Sequence, residues 1–213
     1  EIGVRLVGSE MCIRDRLDAG GGKWRTSMLV SGLITFIAAV HYYYMRDASV
    51  SGGDVTFFRY VDWILTVPLM CVEFYLILAK AGAKKSLMWK LIFWSTVMLV
   101  FGYVGEAIDR DNAWLWGLVS GAAYFYVAYM IWLGEAKALA EKAGGAVLEA
   151  HNALCWFVLV GWSIYPIGYM IGTDGWYDFI DVLPLDMDVV YNVGDAINKI
   201  GFGLVIYNLA VSK

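Results

Sequence analysis

The sequence predicts an all-α integral membrane protein, and three observations carry that prediction. Of 213 residues, 60% are hydrophobic and only 17% are charged, with a mean hydropathy of +0.60, well outside the soluble globular mix. Six apolar segments are each long enough to cross a hydrocarbon core of about 30 Å as a helix rising about 1.5 Å per residue. The connections between them, "DASVSGGD", "KAGAKKS", "DRDN", "GEAKALAEKAGG" and "TDGWYDFIDVLPLDMD", are short and leave no room for a separate soluble domain between spans.

The spans run roughly over 26–46, 56–79, 88–108, 113–133, 152–172 and 187–211. Charges bound each in turn, and their sign alternates. Lys23 and Arg25 precede the first; Lys80, Lys84, Lys85 and Lys90 surround the connection from second to third; Lys137 and Lys142 lie between fourth and fifth; Lys213 ends the chain. The opposite connections carry Asp47, Asp54, Asp109, Asp111, Asp174, Asp178, Asp181, Asp186 and Asp188, with Arg46 and Arg110 as basic exceptions. Lys and Arg collect on the cytoplasmic side, so the second and last spans run from outside to inside. The expectation is a multi-pass protein of the cell (inner) membrane with a cytoplasmic C-terminus.

Residues 1–22 fit none of this. They are too polar to span and lack the apolar core of a signal peptide; "VGSEMCIRDR" resembles translated sequencing-adapter read-through, an ordinary disordered tail being the alternative. The expected organisation is therefore a leader at 1–22 and a transmembrane domain at 23–213. A net charge of -4 without a basic face gives no reason to expect a nucleic-acid partner. Cys12, Cys71 and Cys155 form no paired framework, and His41 and His151 stand far apart without a ligand cluster, so neither a disulfide nor a metal site is expected.

The polar residues inside the spans point to chemistry, because a charged side chain in hydrocarbon is costly and marks a site facing the bundle interior. In the second span, Asp62 to Thr66 is four residues and Asp62 to Glu73 is eleven, close to three turns, which puts all three on one face. The two carboxylates are then about 16 Å apart along the axis, Asp62 toward the outside and Glu73 toward the cytoplasm, as a proton relay needs. In the last span Asp195 and Lys199 are neighbours at i and i+4. Lys199 lies roughly twelve residues into its span, near mid-membrane. Desolvation there favours the neutral amine, the form that condenses with an aldehyde. Taken singly each has a plainer reading: Lys199 paired with Asp195 structurally, Glu73 snorkelling to the interface, and Trp63 and Trp162 facing lipid or filling the core. The joint pattern of one Lys, two mid-depth Asp, an Arg and an inner Glu is harder to explain that way.

The stretches "RYVDWILTVPLMCVEFYLIL", "GWSIYPIGY" and "YNVGDAINKIGFGLVIYN" resemble the third, sixth and seventh helices of the microbial (type 1) rhodopsins, and within them the proteorhodopsins and xanthorhodopsin-like proton pumps. The resemblance covers roughly residues 23 to 213 and implies a seven-helix rhodopsin bundle, of which six spans are visible; the first helix is the one without a counterpart. It implies all-trans-retinal bound as a Schiff base on Lys199, Asp62 as counterion and proton acceptor, Asp195 as second counterion, Arg59 as the gating arginine, and Glu73 as cytoplasmic proton donor. Thr66 completes the Asp, Thr, Glu triplet of outward proton pumps. Trp63, Trp162, Tyr165 and Pro166 match the walls of the retinal pocket, where flat rings confine a polyene. For His41, in "AAVHYYYMR", it implies a hydrogen bond to Asp62; a His satisfied among Tyr42, Tyr43 and Tyr44 is the alternative. Met70 falls where the family switches colour, Leu or Met going with green absorption and Gln with blue. Gly117, in "LWGLVSGAAYF", falls where xanthorhodopsin-like members open a window for a carotenoid antenna, plain helix packing being the alternative. The resemblance also implies a homo-oligomer, pentamer or hexamer, in the lipid bilayer, with protons as cargo and no enzymatic activity. A photosensor of the same fold and a retinal-independent ion or solute carrier are the other readings.

Overall fold

The computed structural model describes residues 24–173, 175, 177 and 187–212. The expected leader, Lys23, Lys213 and the acidic positions Asp174, Asp178, Asp181 and Asp186 lie outside the described residues, as does the side chain of Asp188.

The main helices are α1 (Arg25–Val50), α2 (Thr56–Leu78), α3 (Lys85–Tyr103), α4 (Ala113–Trp132), α5 (Glu135–Ala143), α6 (Gly145–Trp156), α7 (Ile164–Ile171) and α8 (Met187–Val211). Among the described residues, six helical stretches are long and apolar enough to cross a membrane: Arg25–Val50, Thr56–Ala81, Lys85–Ile108, Arg110–Ala143, Gly145–Ile171 and Val189–Val211. Each corresponds to one expected span. Packing follows chain order, with α1 on α2, α2 on α3 and α3 on α4; α8 then closes against α1, α6 and α7. Of these, α2 is the most enclosed, burying Arg59, Asp62, Thr66, Met70 and Glu73 along one face, whereas Phe93, Phe125, Trp156 and Ile197 point outward. In lipid that inside-out arrangement is favourable, because apolar surface toward acyl chains costs nothing and polar groups must find partners inside the bundle.

The structure departs from the expected boundaries at two places. "GEAKALAEKAGG" is largely helical, forming α5, because its alanines Ala136 and Ala140 repeat at i, i+4 and are buried, while Glu135, Lys137, Glu141 and Lys142 are good helix formers on the wet faces. The fifth span accordingly begins at Gly145, earlier than hydropathy places it, since Glu149 and His151 lower the local average without breaking the helix. At its C-terminal end α1 continues to Val50, through Asp47 and into the expected loop. Asp54 then opens α2, its Oδ1 accepting the Thr56 N–H at 2.8 Å; that N–H holds the Asp54 carboxyl below the usual carboxylate range.

Two spans contain π-helical turns, Val104–Ile108 ending α3 and Phe157–Gly161 joining α6 to α7. Such turns free backbone carbonyls that hydrocarbon cannot satisfy. Side chains do so in the second: Tyr124 donates to the Val158 and Leu159 carbonyls at 3.0 and 2.9 Å, and Asn198 donates to the Gly161 carbonyl at 2.8 Å. Glycine is required there, because a Cβ at Gly161 would lie 2.0 Å from the Asn198 amide oxygen. The carbonyl anchor thus fixes α8 one residue before Lys199.

Candidate functional site

The centre of the bundle holds a buried cation between two buried carboxylates. Lys199, Asp62 and Asp195 are 2%, 1% and 2% exposed. Lys199 Nζ donates to Asp62 Oδ2 and lies 2.7 Å from Asp195 Oδ2. The i, i+4 neighbour and the acid from α2 are therefore both engaged, and the pairing with Asp195 alone is too narrow a description. Asp195 also accepts from Tyr42 on α1 and from Tyr165 on α7, the latter at 2.7 Å. Those two phenols satisfy the lone pairs that Lys199 leaves over, which a buried ion pair needs to be tolerated.

Asp62 Oδ1 has no hydrogen-bond partner among the described residues, although His41 Nδ1 lies 3.8 Å from it. The hydrogen bond implied for His41 is not formed. Its Nδ1 instead donates to the Ile37 carbonyl one turn back on α1, at 2.9 Å, so the ring faces the carboxylate at ion-pair distance. Nor is the imidazole satisfied among Tyr42, Tyr43 and Tyr44. Thr66, one turn along α2 from Asp62, donates to the Asp62 backbone carbonyl at 2.8 Å.

Farther along the same face of α2, Glu73 is fully buried and does not snorkel. Its Oε1 accepts from the Ser31 hydroxyl of α1 at 3.0 Å, and its Oε2 has no hydrogen-bond partner among the described residues. Between Glu73 and the central cluster stand Thr66, Val67, Met70 and Cys71, all buried. At the opposite end of this face lies Arg59. Its Nη2 lies 3.2 Å from Glu106 Oε1 and donates to Thr56 Oγ1 at 3.2 Å, and the guanidinium lies 4.6 Å from the Tyr191 ring centre.

Beside the cluster is a largely apolar cavity of about 510 Å³, lined among others by Trp63, Val67, Met98, Trp162, Tyr165 and Pro166 and reaching Gly117, Ser120 and Gly121. Trp63 packs edge-on against Tyr165, ring centres 4.7 Å apart, and Trp162 is 2% exposed, so both indoles are interior walls. Lys199 and Met70 are not among the lining residues: Lys199 is drawn to its carboxylates, and Met70 is buried on α2 about two turns inward of Trp63. At the far end, the Tyr169 ring occupies the space above Gly117, where a Cβ would lie 2.6 Å from Tyr169 Cε1. The residues fit an aldehyde-bearing polyene: an apolar slot between two indoles, next to a buried amine whose charge has two carboxylates to balance it.

Sequence reasoning missed Tyr42, Ser31 and Glu106. A run of three tyrosines does not say which ring points inward, and Glu106, at the end of its span, reads as an ordinary interfacial charge. Ser27 and Ser31 carried a usable signal, two hydroxyls at i, i+4 in an apolar helix, and both are buried.

Comparison with known proteins gives the family. The family of bacteriorhodopsin-like proteins matches residues 3–213. The green-light absorbing proteorhodopsin of Gamma-proteobacterium EBAC31A08 is 46% identical over 205 residues, covering 94% of this chain and 78% of that protein. The blue-light absorbing proteorhodopsin of Gamma-proteobacterium Hot 75m4 is 44% identical over 208 residues, with the same 94% and 78% covered. Among solved structures, the blue light-absorbing proteorhodopsin from Med12 superposes with a TM-score of 0.78 at 40% identity, covering 98% of this chain and 93% of that one. Xanthorhodopsin, described as a light-driven ion pump with dual chromophore, gives 0.79 at 27% identity over 99% and 89% of the two chains. The chain belongs to the bacteriorhodopsin-like family of microbial rhodopsins.

Proposed function

We propose that the protein is a light-driven outward proton pump, a transporter rather than an enzyme, that carries all-trans-retinal on Lys199. The observation that carries this reading is the buried Lys199 Nζ held between Asp62 and Asp195, with Glu73 buried on the same helix face about 16 Å inward. Lys199 Nζ would hold retinal by condensing with its aldehyde with loss of water, and the bound retinal would supply light absorption and a light-driven change of shape. Lys199 Nζ holds the transported proton, Asp62 accepts it on the outer side, and Asp195 keeps the balancing negative charge. Glu73 returns a proton from the cytoplasmic side. Trp63, Trp162, Tyr165 and Pro166 confine the polyene, and the buried side chains from Thr66 to Cys71 separate Glu73 from the central cluster. Acceptor outside and donor inside make net transport outward, given a C-terminus in the cytoplasm of a cell-membrane protein; the alternating Lys and Arg support that orientation.

The domain would span 23–213, and the family likeness supports a homo-oligomer. A carotenoid at the Gly117 face is supported by likeness to xanthorhodopsin; the Tyr169 ring would have to turn aside to admit it.

Supplying all-trans-retinal to membranes containing the full chain should produce a visible band, and illumination should acidify the medium. A colourless preparation would overturn the reading. Colour is a separate question, since relatives named for green and for blue light are similarly close. Met70 is apolar and, buried on α2 without lining the cavity, places no dipole near the polyene, so we expect green absorption and a shift to the blue in Met70→Gln. A parent maximum already in the blue, or an unmoved maximum in the variant, would contradict the role given to Met70.

A further inference from the structure

His151 on α6 is fully buried and takes no part in the relay described above. Its Nε2 lies 2.9 Å from the Ile131 carbonyl oxygen of α4; a carbonyl can only accept, so Nε2 carries the hydrogen of the neutral ring. Nδ1 is then a bare lone pair, and among the described residues it has no hydrogen-bond partner. A buried acceptor left unpaired is costly and calls for an explanation. Glu73 Oε2 is in the same condition, and α2 and α6, which carry the two atoms, pack directly on each other. Phe74, the residue after Glu73, sets its ring edge-on to the imidazole, centres 5.5 Å apart. The imidazole is also faced by Lys137 and Glu141 of α5, whose side chains are 26% and 61% exposed. Lys137 Nζ lies 3.8 Å from Glu141 Oε1 and donates to Asn152 Oδ1 of α6 at 2.8 Å. His151 thus stands between a charged pair that reaches water and the helix that carries Glu73.

We propose that His151 is a proton-relay residue, which takes a proton from cytoplasmic water at the Lys137–Glu141 edge and passes it to Glu73 after Glu73 has given its own to Lys199 Nζ. One proton moves and no electrons do. The Nδ1 lone pair takes up the proton to give an imidazolium, and the same N–H bond then breaks as a Glu73 carboxylate oxygen accepts, which returns the ring to its neutral form. Nε2 keeps its bond to the Ile131 carbonyl throughout, so the tie to α4 is not broken. Histidine suits the place because its charge changes near neutral pH, and a Glu73 carboxylate emptied of its proton supplies a buried negative charge that attracts a cation. The other titratable group against the ring is Cys155 on α6, its Sγ 3.4 Å from Nε2, on the anchored nitrogen and not at Nδ1. From α2 the ring meets Phe74, and from α4 the Ile131 carbonyl. A histidine that only tied α6 to α4 would be replaceable by any side chain of similar size with one N–H.

The inference rests on the proton-pump reading above, and the test separates the two. The retinal-loaded full chain in lipid vesicles is excited by a light flash; the visible band follows return of the proton to Lys199 Nζ, and a pH-indicator dye in the bulk water follows proton uptake. His151→Gln keeps an N–H for the Ile131 carbonyl but cannot carry a proton. In it, the outward transfer and the return from Glu73 to Nζ should keep the parent's rates, while uptake from the bulk should slow by about tenfold to a hundredfold, up to the scale on which a positioned acid–base group contributes. Uptake in the variant should rise in proportion to proton concentration as the pH is lowered, because protons then reach Glu73 directly, whereas uptake in the parent should level off once His151 is already protonated. A purely structural histidine would not change that pH profile. If His151→Gln yields no pigment, His151→Phe carries the test, since it keeps a flat ring against Phe74 and removes both nitrogens. Uptake at the parent's rate, slowed uptake with the parent's pH profile, or an equal slowing of every step would overturn the proposal. A parent that forms no pigment, or forms it without acidifying the medium, would instead overturn the functional reading beneath it.

Discussion

Lys199→Ala should yield a protein with no covalently held chromophore. The amine is the group that condenses with the aldehyde, and among the described residues no other lysine lies at its depth in the bundle. Loss of colour alone would be ambiguous. Removing Lys199 also strips the cation from between Asp62 and Asp195, and breaking a buried ion pair from one side costs about 3–5 kcal/mol. Lys199→Arg separates chemistry from folding, because a guanidinium keeps a positive charge between the carboxylates but does not condense with an aldehyde. The expected result is two colourless variants, of which Lys199→Arg retains more of the parent's helical content and thermal stability. A retinal band surviving borohydride reduction and denaturation in either variant would show attachment elsewhere and sink the assignment.

The parts of this site legible in the sequence are those that one helix fixes by itself. Asp62, Thr66 and Glu73 share a face, and Asp195 sits one turn from Lys199, because the helical repeat leaves no freedom in the matter. The six spans are legible for a similar reason: hydrocarbon allows only a fully hydrogen-bonded helix, so length and hydropathy suffice. What crosses from one helix to another is not legible. Asp195 receives Tyr42 rather than Tyr43 or Tyr44, Glu73 receives Ser31, and Arg59 turns to Glu106, and each choice depends on how neighbouring helices are rotated. The His41 Nδ1 hydrogen bond to Ile37 belongs to the same class: the residue was placed at the right depth, but its partner is a carbonyl that every helix offers. The π-helical turns were also invisible, since they arise from packing around Asn198, Tyr124 and Tyr169 rather than from any local preference of the residues in them.

Asp62→Asn and Glu73→Gln should fail in different ways, and the difference tests the direction of the pump. In Asp62→Asn the chromophore should still bind, shifted to the red because the anion beside the nitrogen is gone, and light-driven acidification should fall to background. No other described acid replaces it: Asp195 is occupied by Lys199, Tyr42 and Tyr165. In Glu73→Gln the colour should be close to that of the parent, since this residue stands three turns away on α2. The outward transfer should remain fast, but return of a proton to Lys199 Nζ should slow by roughly a hundredfold, the scale on which a positioned acid contributes. Ser31→Ala should produce a milder form of the same defect, because it removes the donor that orients Glu73 Oε1 without removing the acid. Azide, a small membrane-permeant acid, should partly restore the rate in Glu73→Gln and leave Asp62→Asn inactive, because it can replace a missing donor but not the fixed charge at Asp62. If both variants acidify the medium at the parent's rate, or if Glu73→Gln blocks the outward step while Asp62→Asn spares it, then the relay does not run from Glu73 on the cytoplasmic side to Asp62 on the outer side.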